Sequence, residues 1–165
     1  MESRVARMIL RASVAREYKD FVNPLSSKAD PLHEGMEHYA DHCASCHANN
    51  GSGDTLYGRG LNPPPPDLRA APTQSKADGE LYAVIQNGVR MSGMPAFGQP
   101  GAHDHGSWEL VVFIRHLPHL TPNELIAMQG MNPITPSEIK ERQEEDQFLS
   151  TPHSPSTPNP KGSQR

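Results

Sequence analysis

The chain has little of what a conventional hydrophobic core is built from. Aromatic residues make up 5% of its 165 residues, with a single tryptophan, and hydrophobic residues 35%. That is thin for one modest domain with tails, so a further apolar component would have to complete the interior. No stretch approaches the ~20 apolar residues of a membrane span, and no apolar segment of a secretory signal is present. Basic residues are not in excess: 15 Lys and Arg stand against 19 Asp and Glu, a formal net charge of −4. This balance argues against nucleic acid as a partner and leaves a mildly acidic docking surface open. There are two cysteines, too few for a disulfide framework. Nothing in the residue pattern resembles an acid–base pair or an activated nucleophile, which argues against a stand-alone enzyme.

Both cysteines fall in the run Cys43-Ala44-Ser45-Cys46-His47, the spacing that attaches a c-type haem. On a helix, residues three apart share a face, so both thiols can reach the vinyl groups of one porphyrin and become thioethers. His47 follows at once as an axial ligand to iron. Two rival readings are weaker. A redox-active Cys-x-x-Cys needs a preceding strand, whereas residues 32–44 read as a helix. Structural zinc needs two further ligands, and the nearest pair, His103 and His105, sits on a glycine-rich polar stretch.

Along the chain, residues 1–29 read as an N-terminal extension, 30–120 as the haem domain, 121–149 as a C-terminal helical extension and 150–165 as a flexible, proline-rich tail. Asp30 and Pro31 suit the N-cap and first turn of the helix entering the motif. Glycines from 51 to 60 and the prolines Pro63 to Pro66 predict an irregular, stiff loop. Residues 78–87 have helical apolar spacing, stopped by Asn87-Gly88. Ser107 is the expected cap of a helix ending at Pro118, and further helices are expected over 121–128 and 135–148, the last capped by Thr135. Haem is attached to this motif outside the bacterial cytoplasm, so the expectation is a periplasmic or otherwise extracytoplasmic location. The four arginines between 4 and 16 suggest a segment just outside a membrane, with an export signal or anchor upstream. An amphipathic helix with a basic face is the equal alternative.

Iron with one histidine has an open axial position, and its occupant decides the chemistry. Met94 is the leading candidate, because Gly93 before it gives backbone freedom and Pro95 after it fixes the local geometry. Met91 lacks such neighbours, and Met36, Met128 and Met131 read as core or surface. His103 and His105 remain as alternatives, and with His116 and His119 they are candidates for a separate metal, the plainer reading being surface imidazoles.

On these residues the chain resembles a class I cytochrome c over residues 31–120. Cys43, Cys46 and His47 match the family's attachment residues and proximal ligand, and Met94 in Met91-Ser-Gly-Met-Pro-Ala-Phe-Gly98 matches its distal methionine. Gly35 and Tyr39 match the glycine and aromatic placed where the family's N- and C-terminal helices cross, with Phe113 opposite. Pro66-Asp67-Leu68 resembles the segment whose proline carbonyl accepts the proximal histidine's ring N–H. Asp78-Gly79-Glu80 resembles bacterial mono-haem forms, many of them membrane-anchored. The resemblance implies an all-α class I fold around one covalent haem c. It also implies single-electron transfer between redox protein partners, such as a membrane oxidase or dehydrogenase. A haem subunit of a multisubunit oxidoreductase is the alternative, and a haem sensor or peroxidase-like protein with an exchangeable sixth ligand a third.

Overall fold

Asp30 opens the first helix, its carboxylate accepting the His33 amide at 3.0 Å ahead of Pro31. This helix, α1 (Pro31–His38), does not continue unchanged into the cysteine motif. Residues Tyr39–Cys43 form a π-helical turn before the short α2 (Ala44–His47), whereas periodicity predicts one uninterrupted α-helix over 32–44. π turns inside α-helices are rare and occur mostly at functional sites. This one carries Tyr39 and Ala40 into the core and leaves Cys43 and Cys46 half-buried.

The computed structural model describes residues 18, 20–25, 30–98, 104–134 and 136–150. The chain divides into one unit ending at Asn132 and a second beginning at Pro133. In the first unit α3 (Leu56–Gly60), α4 (Ala71–Gln74), α5 (Asp78–Asn87), α6 (His105–His116), a 3₁₀ turn (Leu117–His119) and α7 (Pro122–Met131) follow α2. The second unit holds α8 (Pro136–Ser150), whose side chains, where described, are exposed. Among the described residues there is no strand, so the fold is all-α. The expected Thr135 cap, most of the segment before residue 22 and the tail after 150 lie outside the described residues.

The core centres on the crossing of α1 and α6. Gly35 makes it possible: a Cβ there would lie 2.8 Å from the Glu109 carbonyl carbon and closer still to its oxygen. Above it the Tyr39 and Phe113 rings, both fully buried, meet at 5.0 Å between centroids. On the other side of α6, Trp108 stacks on Tyr82 of α5 at 4.1 Å. Each such aromatic contributes on the order of 2 kcal/mol of burial. Met128 of α7 is also fully buried, and α7 packs against the π turn. Part of the presumed extension belongs to the core as well: Leu25 is buried, and Asn23 Nδ2 donates to the Trp108 carbonyl at 3.3 Å.

Two helix ends differ from expectation. The cap of α6 is Asp104, not Ser107. Asp104 accepts the Gly106 amide at 3.0 Å, and Ser107, buried in the first turn, donates to the same carboxylate at 3.0 Å. Aspartate and serine are equally good caps, so the choice fell to tertiary contacts: Gln86 of α5 donates to both Asp104 and Ser107. Helix α7 starts on the Thr121–Glu124 capping box and runs past Met128 to Met131, because the backbone turns extended only at Asn132, with ψ 144°.

Candidate cofactor site

Backbone carbonyls at the end of the cysteine motif are drawn into bonds with the following loop and the core. The Ala44 carbonyl accepts the Ala48 amide at 2.8 Å, the Cys46 carbonyl the Thr55 hydroxyl at 3.2 Å, and the His47 carbonyl the Gly53 amide at 2.8 Å. The Ala48 carbonyl accepts the Gly51 amide at 3.0 Å and the buried Tyr39 hydroxyl at 3.0 Å. A four-residue helix cannot satisfy these groups alone, so the following loop and the core tyrosine do it. Ala48 itself is left-handed, with φ 61° and ψ 154°, a conformation that costs of order 1–3 kcal/mol for a residue with a side chain. It turns the chain sharply behind His47 and brings residues 49–68 back across the motif, where the Leu68 amide donates to the Gly51 carbonyl at 2.8 Å.

His47 Nδ1 is buried and has no hydrogen bond of standard geometry. Burial pushes the imidazole below the ordinary histidine range, and the Pro66 carbonyl beside the ring partly offsets this. That contact is close but looser than a well-formed hydrogen bond. Burial also pushes the Cys43 thiol up to about 12, with Cys46 adding to the shift. A catalytic Cys-x-x-Cys needs the reverse, a stabilised thiolate. Nor do three His, Cys, Asp or Glu side chains converge on a metal-sized site among the described residues. A half-buried imidazole whose buried Nδ1 faces a backbone carbonyl, two neighbouring thiols and an available thioether fit the attachment and axial needs of haem c.

Met94 lies on a closed loop built on the end of α5. Gly88 there has φ 63°, and a Cβ would lie 2.6 Å from the Pro95 carbonyl carbon, so only glycine fits. The Val89 amide donates to the Met94 carbonyl at 3.1 Å, the Met94 amide to Ser92 Oγ at 3.2 Å, and the Phe97 amide to the Ile85 carbonyl at 3.1 Å. The loop leans on Leu61, whose Cδ1 lies 2.9 Å from where a Gly93 Cβ would stand. Leu61 in turn follows α3, which Thr55 ties to Cys46. Segments 55–61 therefore join the cysteine motif to the methionine loop. Met94 is half-buried, whereas Met91, with φ 60°, is 76% exposed. Met36 and Met128 fill the core. His103 lies outside the described residues, and His105 opens α6 rather than sitting on a loop.

Sequence reasoning passed over Thr55 and Leu61. Thr55 was legible as a cap, since its hydroxyl accepts the Gly58 amide at 2.8 Å at the start of α3. Its bond to Cys46 depends on the turn at Ala48, which carries no sequence signal.

A family model described as cytochrome c oxidase, cbb3-type, subunit III matches residues 30–114, more than half of the chain. The chain belongs to that family. No curated protein matches it. The subunit III match supports a class I cytochrome c fold, haem c as the cofactor, and service either as an electron carrier or as part of an oxidase. The matched span begins at the Asp30 cap and ends within α6, enclosing the helix crossing, the cysteine motif and the Met94 loop.

Proposed function

We propose that Cys43 and Cys46 hold one haem c covalently, that His47 and Met94 are its axial ligands, and that the chain passes single electrons between protein partners outside the cytoplasm. The observation that carries this is the His47 imidazole, its buried Nδ1 beside the Pro66 carbonyl, set on the same short helical segment as two half-buried, unpaired thiols. When bound, haem c supplies a one-electron iron couple. The chain's own residues do the rest. The Pro66 carbonyl favours the tautomer with its proton on Nδ1, leaving Nε2 to face the metal. The bonds from Gly53, Thr55 and Tyr39 hold the motif's backbone while the charge at the site changes. The stapled loop would hold the Met94 thioether available as the second axial ligand, which would shut out small ligands, and a His/Met pair raises the reduction potential.

The family match favours a specific version of this reading, in which the chain is the haem c subunit of a membrane oxidase and docks permanently on it. No helix among the described residues is long and apolar enough to cross a membrane, so the docking would be through protein contacts or through residues outside those described. Haem-loaded, reduced protein exposed to carbon monoxide tests the closed site. An unchanged spectrum is expected, and ready formation of a carbonyl adduct would make it a sensor or peroxidase-like protein instead. Purification of the native chain from membranes tests the subunit reading: co-elution with an oxidase is expected, and elution alone makes the chain a free carrier.

A further inference from the structure

We propose that His38 and His42 form a bidentate site for a divalent transition-metal ion, copper(II) foremost, separate from the haem ligands. The two residues are four apart at the junction of α1 and the π turn, the spacing that puts two imidazoles on one helix face. Their ring centroids are 6.5 Å apart with planes inclined by 32°, and their side chains are 47% and 54% exposed. Two imidazoles sharing one ion at metal–nitrogen bonds of about 2 Å need centroids roughly 5 Å apart. Rotation of the more exposed His42 side chain would close that difference.

His38 is already oriented for ligation. Its Nδ1 lies 3.2 Å from a carboxylate oxygen of Glu109, whose side chain is only 12% exposed. That leaves Nε2 as the ligand atom, in the carboxylate–histidine–metal arrangement common to metal sites. Gly106 of α6 makes room for the ring, since a side chain there would begin 3.1 Å from His38 Cε1. The Asp41 carboxylate, 3.3 Å from His42 Nε2, adds negative charge at the site. No third His, Cys, Asp or Glu converges on the pair among the described residues, so water completes the coordination. Imidazole donors with open positions favour copper(II) over zinc and nickel.

His33, which pairs with Glu37 at 3.4 Å, and His116, which pairs with Glu124 at 2.8 Å, serve as controls. The test is titration of copper(II) into the oxidised, haem-attached chain without a histidine tag, read by calorimetry and by electron paramagnetic resonance. One equivalent with hyperfine structure from two nitrogens is expected. His38→Gln and His42→Gln should each weaken binding by about tenfold or more, the scale on which even outer-shell changes act. His33→Gln and His116→Gln should not, and an unaltered haem spectrum in every variant establishes that all are folded. Undiminished two-nitrogen binding in the His38→Gln/His42→Gln double variant would overturn the proposal, as would loss of binding on changing His116.

Discussion

Replacing Gly35 by alanine inserts one methyl group where α1 crosses α6. The new Cβ would stand 2.8 Å from the Glu109 carbonyl carbon and 3.1 Å from Phe113 Cβ, whereas carbon atoms pack best at about 3.5–4.0 Å. The obstacle is backbone, which has no rotamer to change, so the helices themselves must part, loosening the fully buried Tyr39–Phe113 contact. Such overpacking costs up to about 3 kcal/mol. Alanine's better helix propensity returns up to about 1 kcal/mol, for a net loss of about 2 kcal/mol. At roughly 4 °C per kcal/mol that is about an 8 °C fall in Tm. The identical change at Gly130, in α7, is the control: nothing lies within 4 Å of its Cβ position, so stability should hold or rise by up to ~1 kcal/mol. Thermal unfolding of the haem-loaded variants measures both. A Gly35→Ala protein as stable as its parent would refute the close crossing.

Three further changes probe the frame around the site. Arg115 donates to Asp78 at 2.8 and 2.9 Å, to the Gln74 carbonyl at 2.6 Å and to the Lys76 carbonyl. Arg115→Met should cost about 2–3 kcal/mol in chemical denaturation by stranding these acceptors, and an unchanged midpoint would dismiss the clamp. The Thr121 amide and hydroxyl, aided by His116, hold the Glu124 carboxyl below its ordinary value of 4.5. The stability this supplies is complete above that pH and is lost as pH falls through the lower, folded value. Glu124→Gln should make acid unfolding, followed by ellipticity, shallower below pH 4.5, and superimposable curves would contradict this. Changing Cys43 and Cys46 together to alanine should remove haem from the polypeptide on a denaturing gel, and retained haem stain would break the attachment assignment.

What was legible in the sequence was mostly local. Asp30 before Pro31 announced the start of α1, and Asn87-Gly88 the stop of α5, because caps and left-handed glycines act within a few residues. The Cys43–His47 motif named its cofactor class through fixed spacing alone, and Pro66 was picked out although it is distant in sequence, through the resemblance it carried. What escaped depends on tertiary contacts. Ser107 and Asp104 were equally plausible caps until Gln86 arrived from another helix. Gly35 was placed at the crossing only through the resemblance, since by propensity it looks like Gly130, which faces open space. The π turn at Tyr39–Cys43 and the left-handed Ala48 have no residue signature, because the surrounding packing and hydrogen bonds impose them. The inclusion of Asn23 and Leu25 in the core depends likewise on a contact with Trp108, 85 positions away from Asn23.

Met94 as the sixth ligand is the claim on which the chemistry turns. The near-infrared sulfur-to-iron absorption of the oxidised, haem-loaded chain tests it most directly, measured on the parent, Met91→Ala and Met94→Ala. The band should be present in the parent and in Met91→Ala and absent from Met94→Ala, with a lower reduction potential in the last. A parent without the band, or a band that survives in Met94→Ala, would contradict the account.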